Sequence, residues 1–356
     1  MMTENMLEVR HLKKYFPIPQ GLLGALLRQP PRVVHAVDDV SFTLKKGEIL
    51  ALVGESGCGK TTTAITLLGL TEPTGGDILF NDQDITPLLG GARAAPAIFE
   101  PGKPPRRLRP KERPFPQLTM KKLRQQVQMV FQDPYESLNP RATIFQIVAE
   151  PLEVHGLATD PGDKLTQVKT ALEEAGLKPA EDFFSRYPFQ LSGGQRQRVV
   201  IACALVLGPQ FIIADEPVSM LDVSIRAEIL NLLRGLRDEK GISMLFITHD
   251  LSTAAYFTDQ VAVMYLGRIV EIGPTREVLS NPKHPYTQAL LSVIPVPNPR
   301  LRRKRMILQG ETPNPIDLPG GCRFHPRCPL VQERCKELEP QLADVGLDHQ
   351  AACLSL

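Results

Sequence analysis

Residues 48–62 read Glu48-Ile49-Leu50-Ala51-Leu52-Val53-Gly54-Glu55-Ser56-Gly57-Cys58-Gly59-Lys60-Thr61-Thr62. An apolar run ends in glycine, and apolar residues resume at helical spacing over 60–70. The stretch therefore predicts a buried strand, a glycine-rich turn and a helix in that order. Gly54 to Thr61 fit the P-loop pattern G-x-x-x-x-G-K-S/T in the context its mechanism needs. Glycines allow successive backbone N–H groups to turn inward on a phosphate, and the helix start adds a favourable dipole. Lys60 supplies a point charge for the terminal phosphates, and the Thr61 hydroxyl suits a Mg²⁺ shell. The candidate phosphate and nucleotide contacts are Gly54, Glu55, Ser56, Gly57, Cys58, Gly59, Lys60, Thr61 and Thr62.

Working outward, Phe211-Ile212-Ile213-Ala214-Asp215-Glu216 is an apolar strand ending in two carboxylates. In a parallel sheet such strand ends line the ligand crevice, so these acids are expected beside the P-loop. Asp215 suits the Mg²⁺ shell and Glu216 the polarisation of an attacking water. Further strands are expected at 7–12, 36–44, 127–131 and 243–248, with helices at 60–70 and 223–239 and a mainly helical stretch to about 207. Strands alternating with helices imply a mostly parallel α/β sheet. Leu191-Ser192-Gly193-Gly194-Gln195 opens a helix over 196–207. It is a second anion-binding helix start, which one nucleotide does not need, and it points to a site shared between two subunits.

Composition narrows the class. At 356 residues the chain exceeds one ordinary domain, and 42% hydrophobic with 22% charged residues describes a globular protein. A net charge of +2 does not require a nucleic-acid partner. The basic character sits in one insert: residues 86–118 hold seven Lys/Arg against two Glu. Within it, 87–116 carry eight prolines and no periodicity, which predicts an irregular surface loop, or a contact with lipid or a neighbouring subunit. The longest apolar stretch, Val199 to Leu207, is half the length of a membrane span, and the amino terminus lacks a signal-peptide pattern. The expectation is a soluble, cytoplasmic protein.

P-loop, LSGGQ followed by Arg196-Gln197-Arg198, and the acidic strand, in that order, closely resemble an ABC transporter ATPase subunit over roughly 7–280. The resemblance implies a P-loop NTPase of ABC type: a RecA-like core with a mostly parallel sheet, an antiparallel β subdomain and a helical signature subdomain, here about 133–207. It implies ATP and Mg²⁺ as ligands, with Ser192, Gly193, Gly194 and Gln195 facing the partner's ATP. Gln132 in MVFQDP becomes the Q-loop glutamine near Mg²⁺, Asp222 in Ser219-Met220-Leu221-Asp222 the D-loop acid, and His249 the switch histidine. Family D-loops more often have alanine where this chain has Met220. His249 taken alone reads equally well as structural. An aromatic of Lys14-Tyr15-Phe16 would stack on adenine, Phe16 before Tyr15 by the family's spacing, with a core role as the competing reading.

VGESGCGK, MVFQDPYESLNPR, NPKHPYTQALLSVIPVP and GCRFHPRCP narrow the resemblance to ATPases of the oligopeptide/dipeptide/nickel importer family. The division implied is an ABC nucleotide-binding domain over 1–280 and a C-terminal extension over 281–356. The function implied is an ATP-hydrolysing subunit powering peptide import at the cytoplasmic face of the cell membrane, peripheral through its partners. Those partners would be two transmembrane permease subunits, a second and related ATPase chain paired head-to-tail, and an extracytoplasmic peptide-binding protein, with no nucleic acid. The competing class is a soluble, non-transport ABC ATPase; a single nucleotide-binding unit without sustained heptads argues against it. Cys322, Cys328, Cys335 and Cys353 crowd a region with few core-forming residues, which suggests a metal staple. The spacing lacks the C-x₂-C pairs common in zinc sites, and the resemblance implies a 4Fe–4S cluster on these cysteines, with zinc or unliganded thiols as alternatives.

Overall fold

Two strands with no polar residue facing solvent set the parallel part of the structure: Phe211–Asp215 and Ser243–Thr248 are buried along their whole length. That pattern belongs to strands covered on both faces. The computed structural model describes residues 4–19, 32–90, 118–158, 160–294 and 306–356, with the backbone of two short strands at 97–98 and 106–107. Most of the insert expected at 87–116 therefore lies outside the described residues. The chain divides into two compact units, the first Met1–Met6, Lys45–Ile49 and Gln117–Ile247, the second Leu7–Leu44, Leu50–Pro116 and Thr248–Leu356.

In the first unit, Phe211–Asp215 pairs in parallel with Val127–Val130 on one side and with Ser243–Thr248 on the other; Phe211 is opposite both Val127 and Ser243. Between these strands in sequence run the helices Ile144–His155, Pro161–Glu174 and Gly193–Leu205, packed on one another. Each begins at a residue that satisfies the free N–H groups of the first turn. Thr143 and Gln146 form a capping box, Asp160 accepts from Gly162 and Asp163, and Ser192 with Gln195 forms a second box. Their inner faces bury Val148 and Leu152, Val168 and Leu172, and Val200 and Ile201.

The second unit holds an antiparallel sheet in the order Val33–Lys45, Asn5–Pro17, Gly75–Phe80, Gln83–Asp84. Its other strands run Ala343–Gly346, His349–Ala351, Arg268–Pro274, Gln260–Tyr265, Ile49–Val53. Only the last two of these pair in parallel. The mostly parallel sheet expected from sequence is thus a mixed one. Leu266 and Gly267, both at positive φ, make a two-residue turn that folds Gln260–Tyr265 directly back on Arg268–Pro274. A further correction concerns the cysteine-bearing segment, expected to fold by metal rather than by packing. Phe324 is fully buried with Tyr265, Tyr286 and Val263 in the core of this unit, and Cys322 and Cys328 pack on the same cluster. Its ring meets Tyr265 edge-on at 5.2 Å. Burying one such side chain contributes about 2–3 kcal/mol.

Candidate nucleotide site

The strand Ile49–Val53 is wholly buried and delivers Gly54 to the turn. Two glycines are required there by space rather than by family habit. A Cβ on Gly54 would stand 2.2 Å from the Met264 carbonyl oxygen, and one on Gly59, at φ 111°, would stand 2.1 Å from that of Ala36. Gly59 caps the helix Lys60–Leu67 without any side-chain hydrogen bond, so the first-turn N–H groups stay free to receive a phosphate. Ser56, Gly57 and Thr61 are exposed, Thr62 is half-buried and Cys58 is buried beneath the turn. Lys60 is 5% exposed; its Nζ donates to the carbonyls of Gly54 at 2.7 Å and Glu55 at 2.9 Å. The ammonium is held over the turn by backbone oxygens rather than by a carboxylate.

Elsewhere in the second unit, Tyr15 gives its hydroxyl to Asp38, whereas the Phe16 ring is 37% exposed with Lys14 Nζ 4.7 Å from its centre. Of the two aromatics, Phe16 is the more exposed. His249 is exposed, carried on a turn that Asp250 fixes by accepting from Ser252 N at 2.8 Å and Thr253 Oγ1 at 2.9 Å.

In the first unit the acids stand where the strand ends. Asp215 is buried, and Glu216 turns the chain at φ 46°, its N–H donating to the Ile247 carbonyl at 2.9 Å. A non-glycine residue in this region costs about 1 kcal/mol or more, and such strain gathers at functional positions. Gln132 Nε2 donates to Glu216 Oε2 at 3.2 Å, so two of the sequence-derived candidates meet directly. Ser192 is exposed at the start of Gly193–Leu205, and its Oγ accepts from Gln195 N at 3.3 Å. Gly194 is needed for contact: a Cβ would lie 2.6 Å from Ile225 Cγ2. Asp222 is exposed between Met220 and Val223, which are 59% and 80% exposed.

Sequence reading missed the partners of Glu55. Arg327 Nη1 and Nη2 donate to its carboxylate at 2.8 and 3.2 Å, Thr312 Oγ1 donates at 2.7 Å, and its N–H donates to Tyr286 Oη at 3.0 Å. Burial alone would raise the Glu55 pKa, but hydrogen bonds from Arg327 and Thr312 hold it below the ordinary value. No local signal marks these residues, since they lie more than two hundred positions away.

The cysteine centre is not borne out as a metal site. Among the described residues no group of three or more His, Cys, Asp or Glu side chains is gathered closely enough for a metal ion. All four C-terminal cysteines are free. Burial pushes the Cys322 thiol up to about 11, and Cys335, Cys328 and Cys353 each add to the shift, so the four are electrostatic neighbours. Among the described residues no helix is long and apolar enough to cross a membrane.

The family described as ABC transporter matches residues 37–219, and the one described as oligopeptide/dipeptide transporter, C-terminal region, matches 270–335. The chain is 46% identical to the oligopeptide transport ATP-binding protein AppF of Bacillus subtilis, over 98% of this chain and 97% of that one. It is 44% identical to the dipeptide transport ATP-binding protein DppF of Haemophilus influenzae, over 93% and 90%. Among solved structures it is similar to the ATP-binding cassette MJ0796 in a dimeric post-hydrolysis state with ADP and phosphate. The TM-score is 0.58 at 26% identity, over 76% of this chain and 99% of that one. An open phosphate turn, a carboxylate joined to a glutamine, and near-full-length relatives lead to one conclusion: the chain belongs to the ABC transporter ATP-binding proteins, in the branch with the oligopeptide/dipeptide transporter C-terminal region.

Proposed function

We propose that this ATPase powers the import of di- or oligopeptides. The observation that carries the reading is the match of 270–335 to the oligopeptide/dipeptide transporter C-terminal region, beside relatives named for oligopeptide and dipeptide transport. ATP would sit on the turn Gly54–Thr62, its adenine on Phe16. Lys60 would leave its two carbonyl partners for the β- and γ-phosphates, and Thr61, Gln132 and Asp215 would complete the Mg²⁺ shell. Glu216 would take the proton of the attacking water while His249 senses the γ-phosphate. The exposed Ser192, Met220, Asp222 and Val223 favour a composite site, in which this surface meets the ATP of a second ATPase chain.

In this reading the chain works at the cytoplasmic face beneath two permease subunits, with a related but different ATPase and an external peptide-binding protein. Affinity purification from membranes tests it: the expected outcome is co-elution of two permease subunits and loss of labelled dipeptide uptake on Glu216→Gln. An ATPase that purifies alone from membranes, with uptake intact in the variant, would sink it. The C-terminal extension is further read as the holder of a 4Fe–4S cluster on Cys322, Cys328, Cys335 and Cys353. The reading draws on four thiols free of disulfides, with Cys335, Cys328 and Cys353 each adding to the raised pKa of Cys322, and on the four thiolates that such a cluster requires. The cluster would supply cross-linking of the segment, with redox sensing as a second role. Anaerobically purified protein is expected to be brown with about four irons per chain; iron-free protein with an ordered segment would remove this part.

A further inference from the structure

Glu55 is the one acidic residue in the turn Gly54–Thr62. It is also the point where the C-terminal segment grips that turn. Arg327 lies on the single-turn helix His325–Arg327, next to Phe324, whose ring is locked in the core of this unit. The anchored ring leaves the guanidinium little freedom, and its two N–H groups take the Glu55 carboxylate as a fork, at 2.8 and 3.2 Å. The Arg327 side chain is 9% exposed and that of Glu55 27%, so solvent screens the pair weakly. Thr312 fills a further lone pair of the carboxylate, and Tyr286 fixes the Glu55 N–H. The Glu55 carbonyl in turn accepts from Lys60 Nζ. A continuous set of contacts thus runs from Arg327 through Glu55 to the lysine of the phosphate turn.

We infer that Arg327 of the C-terminal segment is a positioning residue for ATP: it fixes Glu55 and cancels the negative charge that the phosphate-binding turn would otherwise present to its ligand. A bidentate guanidinium–carboxylate pair fixes direction as well as charge, which an ammonium cannot do equally well. Without it the carboxylate stands beside Lys60 and competes with the terminal phosphates for the ammonium. The C-terminal segment is then part of the nucleotide site, although it holds none of the nucleotide motifs. This inference rests on ATP binding at the turn and not on the identity of the cargo.

The test uses the full-length chain, a fluorescent ATP analogue with Mg²⁺, and steady-state hydrolysis. Arg327→Gln is expected to raise the analogue's Kd and the KM for ATP about tenfold, while kcat at saturating ATP changes by less than about twofold. The double variant Glu55→Gln/Arg327→Gln, which removes both charges, is expected to recover to within about threefold of the native Kd. Native affinity in Arg327→Gln, or a double variant no better than the single one, would overturn the inference; a purely structural Arg327 predicts the latter. If Arg327→Gln does not fold by circular dichroism, Arg327→Lys replaces it. A two- to fivefold loss there, about 0.4–1 kcal/mol, supports the inference and native affinity overturns it. Native chain in the same assay shows whether the turn binds ATP at all, which separates failure of this inference from failure of the site.

Discussion

Glu216 leaves its strand at φ 46° with its N–H tied to Ile247 and its carboxylate touched by Gln132. The backbone tie fixes where the carboxylate points, so replacing it by an isosteric amide changes chemistry rather than shape. Glu216→Gln is expected to retain ATP binding and lose about 10²–10⁴-fold in hydrolysis, the range of a lost general base, as read by single-turnover assay. Close to full activity would remove Glu216 from the role. Phe16 offers a second test at this scale. Its exposed ring contrasts with Tyr15, which is held by Asp38, so Phe16→Ala is expected to weaken ATP by about 1–3 kcal/mol through lost base stacking. Titration calorimetry checks this, and an unchanged affinity would remove the ring from adenine binding.

At the scale of elements, the helix Gly193–Leu205 carries its own start signal: Ser192 and Gln195 satisfy each other's backbone and side chain, and Gly194 lets the first turn lie against Ile225. The cap is worth about 1 kcal/mol to the helix, a small part of a structure held mainly by packing. Ser192→Arg is therefore expected to leave the fold and ATP binding at this chain's own turn intact, while abolishing hydrolysis at the partner's site. Mixed complexes, in which only one ATPase carries the change, measure the effect in trans. Loss of ATP binding by the folded, isolated variant would count against a shared site.

For the whole molecule, what matters is how the C-terminal segment is held within the second unit. Asp38 accepts from Tyr15 and from the buried Arg323, and Arg268 lies 3.8 Å away. Glu271 is fully buried and accepts from Lys283 N, His284 N and His349 Nε2, which ties the strand His349–Ala351 to Arg268–Pro274. Burial would raise the Asp38 pKa, but Tyr15, Arg323 and Arg268 hold it below the ordinary value. Its stabilisation is therefore fully present above the unfolded pKa, about 4, and is lost as pH falls through the depressed folded value. Asp38→Asn is expected to expose the amides of 320–328 to hydrogen exchange already at neutral pH, and to flatten the acid-induced release seen in the native chain. Equal protection of both proteins at neutral pH would show that the pair holds nothing. The motifs at 54–61, 191–195 and 211–216 were legible in the sequence because each is a local arrangement: a turn, a helix start and a strand end dictate their own residue types. The alternation of strands and helices was legible for the same reason. The packing of Phe324 and the Arg327–Glu55 contact were decided only by tertiary structure. They join residues whose separation in the chain leaves no periodicity to read, and they form only when buried surface brings the partners together.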